Sequence, residues 1–347
     1  MRKGIAVIAV GSLAALATAC GGADGSTGEK ALTYVSWGGA LQEAQTSAFL
    51  DPFAEQASVT VRQDSPTDYA KLKAQAESGS VEWDVVQVEP YIAERGCEEG
   101  WLTPLPDSVR SEGLMEEFAS ECAVPAFQYA FVIGYNTDQF PDEHPTTWGE
   151  FFDTEAFPGK RAFWKFSSSG ILEAALIADG VAPDALYPLD LDRAFAKLDT
   201  IKDDIVFYDT GEQQTQLVAS GEVAMVQAWN GRMYDAITND EPVGLEWGDH
   251  LVVSETWVVP KGAPHEAQAM EFLEYATGAE PQAALSKYIP YSPINEDAVD
   301  QVDAEMAPYL PTSPENAEQV STSIDYSWYA ENFDEVNQRF NDWLLTL

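Results

Sequence analysis

The sequence predicts an α/β protein with two domains. From residue 31 onward, short runs rich in β-branched and aromatic residues alternate with segments of helical periodicity, a pattern typical of α/β folds. The chain has 347 residues, which is too long for one hydrophobic core, because domains of roughly 100–200 residues are usual. Two cores of the same mixed class are therefore expected.

In the first half, the predicted strands are separated by helical or irregular chain. The strands are "LTYVSW" (32–37), "VTVR" (59–62), "WDVVQV" (83–88) and "QYAFVIGYN" (128–136). Segment 40–57 places Leu41, Ala44, Ala48 and Phe49 on one face, which predicts an amphipathic helix. The sequence leaves the stretch between residues 102 and 127 irregular.

The second half repeats this alternation. Predicted strands are 161–166, 205–209, 223–229 and 255–260, and predicted helices include 170–179 and 190–202. Near the end, Tyr329, Phe333, Val336, Phe340 and Trp343 recur at helical spacing. We therefore expect a helix over 329–346 that packs on the body of the protein.

The N-terminus has the features of an export signal. Arg2 and Lys3 precede an uncharged apolar run that is too short for a membrane span, and small residues lead to Cys20. This arrangement resembles the lipobox of bacterial lipoproteins, so residues 1–19 are predicted to be a signal peptide and Cys20 the lipidated residue. Residues 20–30 form a Gly-rich tether. The alternative is an ordinary secretory signal in which Cys20 is incidental.

The cysteines fit an exported protein. The chain has three cysteines, so acylation of Cys20 leaves Cys97 and Cys122 as a pair in an oxidising setting. A disulfide between Cys97 and Cys122 is predicted.

The chain is strongly acidic. It carries 18 basic and 58 acidic residues, a formal charge of −40, which argues against a nucleic-acid partner because phosphate binding requires many Lys and Arg. The charge favours a cationic solute over distances of about 8 Å at physiological ionic strength. An acidic surface adapted to a salty or alkaline habitat also explains the charge and is the favoured explanation, so only local carboxylates can identify a ligand.

Catalytic motifs are absent from the sequence. His144, His250 and His265 do not have metal-ligand spacing, and there is no phosphate-binding loop or nucleophile elbow. "SSSG" (167–170), which includes Ser168, precedes a predicted helix and could present hydroxyls to a ligand or simply cap the helix. Binding without chemistry, with neither a metal nor a cofactor, is the expectation. A secreted hydrolase is the alternative from another class, since paired carboxylates are too numerous to exclude one.

Six segments along the chain form a series: "SWGGALQEAQ", "WDVVQVEPYIAERGCEEGWL", "FPGKRAFW", "SGEVAMVQAWNG", "WVVPKGAP" and "YIPYSPIN". In this order they resemble extracellular solute-binding proteins of ABC importers, in particular the spermidine/putrescine-binding branch. The resemblance implies a type II periplasmic-binding-protein fold, in which two hinge-linked lobes enclose a ligand cleft. Lobe 1 would comprise 31–135 plus 258–303, and lobe 2 would comprise 136–257 plus 304–347.

The resemblance also implies a set of ligand-binding residues. Aromatic rings would pack on the methylenes and ammonium groups of a polyamine, and carboxylates would pair with its charges. Glu255 stands where the family has an acidic residue gripping an amine, whereas an aromatic two places earlier is replaced by Val253 and an early acidic pair leaves only Glu173. The predicted ligand-binding residues are Trp37, Gly38, Glu89, Tyr91, Ser168, Trp229, Asn230, Glu255 and Tyr291. Trp164, with Trp83, Trp101, Trp148, Trp247 and Trp343, is assigned to packing.

These observations predict a monomeric, lipid-anchored receptor on the extracellular face of the cytoplasmic membrane. It would capture putrescine or spermidine and deliver it to the permease subunits of an ABC importer, with hinge closure as its mechanism. Another solute, such as an amino-acid-like amine, a sugar or an iron complex, is the alternative within this class.

Overall fold

The computed structural model describes residues 30–116 and 119–347. The predicted signal peptide, Cys20 and most of the tether lie outside the described residues. Among those that are described, no helix has the length and apolar character needed to cross a membrane.

Strands and helices alternate along the chain as the sequence predicts. The strands are β1 (Ala31–Val35), β2 (Thr60–Asp64), β3 (Val85–Val88), β4 (Ala123–Asn136), β5 (Arg161–Trp164), β6 (Ile205–Tyr208), β7 (Met225–Trp229), β8 (Val243–Val258) and β9 (Val320–Ser323). The helices are α1 (Gly39–Gln45), α2 (Asp51–Ala57), α3 (Tyr69–Ser78), α4 (Pro90–Glu98), α5 (Trp148–Phe151), α6 (Ile171–Ala178), α7 (Leu191–Asp199), α8 (Gly211–Ala219), α9 (Asn230–Thr238), α10 (Glu266–Ala276), α11 (Ala279–Leu285), α12 (Glu296–Val299), α13 (Pro314–Ala317) and α14 (Tyr326–Leu344). A π-helical turn, Thr46–Leu50, joins α1 to α2.

The described strands form one sheet in the order β2-β1-β3-β8-β4-β7-β5-β6, and β9 pairs with β8. β1 runs parallel to β2 and β3, and β5 runs parallel to β6 and β7. The long antiparallel strands β4 and β8 lie between these two parallel sets and pair with each other. Two parallel units are thus joined through one central ladder, which is consistent with two lobes. The lobe boundaries given above stay a prediction.

The core follows the central ladder on both sides. β4 reads "AVPAFQYAFVIGYN" and is buried along almost its whole length, as expected for a strand covered on both faces. The C-terminal helix α14 begins three residues before its predicted start, where the Asp325 side chain accepts a hydrogen bond from the Trp328 amide. Tyr329, Val336, Phe340 and Trp343 are its buried residues, so the predicted amphipathic face is confirmed.

The predicted disulfide between Cys97 and Cys122 is confirmed. It links the end of α4 to the residue that precedes β4, with the two Cα atoms 5.6 Å apart. The bond therefore holds the helix that follows β3 against the start of the central ladder.

Candidate functional site

A cavity of about 610 Å³ opens between the two sets of parallel strands. Its walls come from the segments that follow the carboxyl ends of β1, β2, β5, β6 and β7. Ligands bind at this edge in open α/β sheets, and the volume is in the usual range for small-molecule sites. Both the topology and the size make it the candidate ligand site.

The structure brings five of the predicted residues together around this cavity and puts four behind its wall. The cavity residues are Trp37, Gly38, Trp229, Glu255 and Tyr291. The residues behind the wall are Glu89, Tyr91, Ser168 and Asn230.

Aromatic rings from both sides of the central ladder meet at the cavity. The centroid of the Trp164 ring lies 6.2 Å from that of Trp37 and 5.2 Å from that of Trp229, each pair edge to face. Phe166 stacks on Trp164 with centroids 4.6 Å apart. The three indoles form a continuous aromatic wall that suits methylenes and ammonium groups.

Trp164, which the sequence assigned to packing, is buried and also lines this cavity. The residue ends β5 just as Trp229 ends β7, and β5 and β7 are parallel neighbours. Position at a strand end was the signal that could have identified Trp164 from sequence.

Glu255 is the buried carboxylate of the cavity. Only 3% of the residue is exposed, and the Tyr129 hydroxyl lies 3.5 Å from its Oε1. Burial raises the pKa of Glu255 to about 8, and nearby donors from Trp37, Gln87 and Tyr129 oppose this rise. Its Oε2 has no hydrogen-bond partner within the described residues. A cationic group entering the cavity would find an acceptor there.

Glu89 lies directly behind the cavity and joins its two sides. It follows β3, and its Oε2 accepts hydrogen bonds from the Tyr69 hydroxyl and from Ser168 Oγ, both at 3.3 Å. Burial, followed by the charge of Glu255, raises the pKa of Glu89 well above its usual range. Ser168 thus contacts Glu89 rather than presenting its hydroxyl as a simple helix cap.

Tyr91 and Asn230 hold the structure around the cavity. Tyr91 is buried and stacks on Phe333 of α14, with centroids 4.7 Å apart. The Asn230 amide oxygen accepts from the Ala130 amide at 3.0 Å, and its amide nitrogen donates to the Pro290 carbonyl at 2.7 Å. Asn230 therefore fixes the start of α9 to β4 and to the segment that carries Tyr291.

Glu173, the other carboxylate considered from sequence, is also buried away from the cavity. The Tyr187 hydroxyl donates to its Oε1 at 2.6 Å and the Tyr329 hydroxyl at 3.0 Å. These contacts connect α6 to the C-terminal helix α14.

Two basic residues of the cavity, Arg232 and Lys165, were missed from sequence. Arg232 lies in the first turn of α9, three residues after Trp229, and Lys165 follows Trp164 directly. Arg232 Nη2 lies 3.2 Å from Glu212 Oε1. Lys165 is exposed at the cavity and has no ion-pair partner in the described part of the chain. The spacing of Arg232 from Trp229, about one helical turn, was the available signal.

Arg232 occupies a notch that two glycines leave open. A β-carbon on Gly39 would lie 2.5 Å from Arg232 Nη2, and one on Gly211 would lie 2.5 Å from its Nε. Gly39 also has a φ of +57°, a conformation that favours glycine. Gly39 follows β1 and Gly211 follows β6, so the guanidinium sits where the two sides approach each other.

The cavity also contains unpaired hydrogen-bond donors. The indole N–H groups of Trp37 and Trp229 are buried and have no partner among the described residues. Buried polar groups are nearly always paired in native proteins, so the Trp229 N–H is available to an acceptor on a ligand, whereas the Trp37 N–H is a donor close to Glu255. No group of three or more His, Cys, Asp or Glu residues able to hold a metal ion occurs in the ranges that the structure describes.

Fold and site together define a two-lobed periplasmic binding protein of type II. The parallel units on either side of one central ladder, and the aromatic cavity between them, are the features of that class. Solved structures of this class support the assignment: a structure of the Atu4243 GABA receptor is 41% identical in sequence, with a TM-score of 0.83 over 90% of this chain and 97% of that one.

A family model of bacterial extracellular solute-binding proteins matches residues 48–312, so the chain belongs to that family. The gamma-aminobutyric acid-binding protein of Pseudomonas aeruginosa is 35% identical over 90% of this chain and 91% of its own. The spermidine/putrescine-binding periplasmic protein 1 of Haemophilus influenzae is 24% identical over 86% of this chain and 87% of its own. The protein is therefore a non-enzymatic, extracellular-side solute-binding component of an ABC importer, and its family resemblance is confirmed.

Proposed function

We propose that the protein captures a small zwitterion with an ammonium group at one end and a carboxylate at the other, of the class of 4-aminobutanoate (GABA). The observation that carries the proposal is the composition of the cavity: Glu255, which has one unpaired carboxylate oxygen within the described residues, lines the same cavity as Arg232, Lys165 and Trp229, whose indole N–H is unpaired there as well. A ligand with both charges satisfies both sets of groups.

The ammonium end would bind Glu255 and the aromatic wall. A desolvated cation over an indole ring gains about 0.5–2 kcal/mol, and a charge-assisted hydrogen bond to a carboxylate adds about 1.5–3 kcal/mol. Trp37, Trp164 and Trp229 would pack on the methylene groups between the two ends.

The carboxylate end would bind near Arg232. Arg232 lies in the first turn of α9, and Thr210, Gly211 and Glu212 at the start of α8 line the same cavity. Helix N-termini carry a partial positive charge that stabilises anions. A polyamine, the ligand expected from sequence, has a second ammonium group in place of the carboxylate, and Arg232 and Lys165 would repel it.

The relatives support this ligand class. One relative is named a gamma-aminobutyric acid-binding protein, at 35% identity, and a solved structure is named a GABA receptor, at 41% identity. The spermidine/putrescine-binding relative is less similar, at 24% identity.

A series of four-carbon compounds tests the proposal by titration calorimetry. GABA, putrescine and butanoate each have four carbon atoms and differ in their end groups: GABA has an ammonium and a carboxylate, putrescine has two ammonium groups, and butanoate has a carboxylate alone. We expect GABA to bind, and putrescine and butanoate to bind at least about tenfold more weakly, since each loses one charge-assisted contact. Tighter binding of putrescine than of GABA would overturn the proposal in favour of a polyamine.

The membrane attachment of the receptor belongs to the same proposal. Lipidation of Cys20 would tether the chain beside its permease, with residues 21–30 as a flexible link. Two acyl chains would be needed, because a single chain binds membranes only marginally. Mass spectrometry of the membrane-extracted protein tests this: an unmodified mature chain released into the medium would contradict it.

A further inference from the structure

Glu255 is a buried carboxylate without a positive partner. It lies on β8 opposite Phe127 of β4, and 3% of the residue is exposed. The cavity's basic residues do not neutralise it: Arg232 is paired with Glu212, and no ion pair to Glu255 is found among residues 30–116 and 119–347. An ionised carboxylate in such a place is costly unless a cation accompanies it.

The titratable groups close enough to Glu255 for its charge to raise their pKa add no positive charge. They consist of phenols and one further carboxylic acid. The groups whose pKa the charge of Glu255 raises are Tyr34 on β1, Tyr69 on α3, Glu89 and Tyr91 at the start of α4, Tyr129 on β4, Tyr291 and Tyr326. Since each of these groups is neutral or anionic, the positive charge nearest to Glu255 has to come from a proton or from the ligand.

Glu89 is the second buried carboxyl near Glu255. The charge of Glu255 raises the pKa of Glu89, because two like charges close together in a buried site disfavour each other. Glu89 contacts Tyr69 and Ser168 across the site.

We propose that the ammonium group of the ligand takes the place of a proton on Glu255, so that capture of one amine releases one proton to the solvent. The O–H bond of the carboxylic acid breaks, the proton passes to water or buffer, and the carboxylate so formed pairs with the ammonium group. The inference rests on the proposed function only in taking the ligand to be an amine.

This exchange makes binding dependent on pH. Burial places the pKa of Glu255 near 8 in the ligand-free protein, and a bound ammonium group lowers it. Between the two values the affinity for the amine rises with pH, by up to about tenfold per pH unit for one proton. A carboxylate that was ionised throughout would give a flat profile between pH 6 and pH 8.

Calorimetry on the unmodified chain measures the exchange directly. GABA and putrescine are titrated at pH 7 in phosphate and in Tris, whose ionisation enthalpies differ, and the difference in heat gives the number of protons released. We expect about one proton per amine. The count does not depend on any variant folding.

Two variants test whether the released proton comes from Glu255. Glu255→Gln keeps the size of the side chain and removes the titration, so we expect any residual amine binding to proceed without proton release. Glu55→Gln, on the exposed face of α2, makes the same chemical change away from the cavity and should still release about one proton.

The outcomes separate this inference from the proposed function. Binding of GABA without proton release overturns the inference and leaves the function intact. Proton release with putrescine alone supports the inference and overturns the proposed ligand. Failure of both amines to bind overturns both.

Discussion

Arg232 Nη2 lies 3.2 Å from Glu212 Oε1, and this ion pair fills the space that a side chain on Gly39 would need. Gly39 comes from the β1 side of the cavity, whereas Arg232 and Glu212 come from the β7 and β6 side. The position of the Arg232 guanidinium therefore depends on how closely the two sides of the cavity approach each other.

Gly39→Ala should displace the guanidinium and weaken GABA binding by about tenfold. The substitution also places alanine in a left-handed conformation, which costs about 1–2 kcal/mol. Gly79→Ala is the matched control, since Gly79 has a φ of +69° but nothing within 4 Å of an added β-carbon. Calorimetry and thermal unfolding separate the two effects: both variants should lose stability, and only Gly39→Ala should lose affinity.

Arg232→Gln should weaken GABA binding by about 10–100-fold, because a charge-assisted contact to the carboxylate is lost. Putrescine binding should stay unchanged or improve. Arg193→Gln removes an exposed guanidinium that pairs with Asp179 and should leave both affinities unchanged. An equal loss for GABA and putrescine in the Arg232 variant would indicate a structural role and contradict carboxylate recognition.

Trp164→Leu should reduce the affinity for GABA by about tenfold, because one of the three rings of the aromatic wall is lost. Trp101→Leu provides the control: Trp101 is 6% exposed and Trp164 is 8% exposed, but Trp101 lies away from the cavity. Both variants should lower the melting temperature. If Trp164→Leu retained full affinity, the indole would serve packing alone.

The stability of the ligand-free protein should fall as pH rises from about 5 to 8. The folded-state pKa of Glu255 is about 8, above its ordinary value of 4.5, so the folded chain keeps a proton that the unfolded chain releases. This contribution is complete below pH 4.5 and is lost as pH rises through 8, at up to about 1.4 kcal/mol per unit. Glu255→Gln should flatten part of the slope in thermal melts, and Glu55→Gln should not. Glu89, whose pKa is also raised, contributes to the slope that remains.

Reduction of the Cys97–Cys122 bond should lower the free energy of unfolding by about 3 kcal/mol, the value expected for a loop of this size. Denaturant titration with and without dithiothreitol measures the loss. The Cys97→Ser, Cys122→Ser double variant should match the reduced protein and should not respond to the reductant.

Much of the fold could be predicted because the alternation of apolar strands and amphipathic helices is local. β4 begins at Ala123, five residues before its predicted start at residue 128. Pro125 hid this first part of the strand, because proline disfavours a strand in the sequence. The structure accommodates Pro125 at a register shift between Pro125 and Phe127. β8 begins at Val243 rather than at residue 255. Its first half contains Gly248 and Asp249 and has a second register shift, so its composition did not indicate a strand.

The site was less accessible to sequence reasoning. Strand-end position identified Trp37 and Trp229, and an acidic residue matching the family pattern identified Glu255. Arg232 reaches the cavity from a helix through a notch left by two glycines that are distant from it in sequence. Such a contact depends on how the two sides pack, which the spacing of Arg232 from Trp229 does not show by itself.

The strand that carries Glu255 also anchors the start of the C-terminal helix. Successive residues of a strand point to opposite faces. Ser254 and Thr256 accordingly line a second cavity, of about 230 Å³, on the reverse side of β8. There the Tyr326 hydroxyl accepts a hydrogen bond from the Ser254 amide at 3.2 Å. Ser327, exposed on the next position of α14, is thus a place where a fluorescent label would report occupancy from behind the site, without touching the solute, and convert the receptor into an optical sensor.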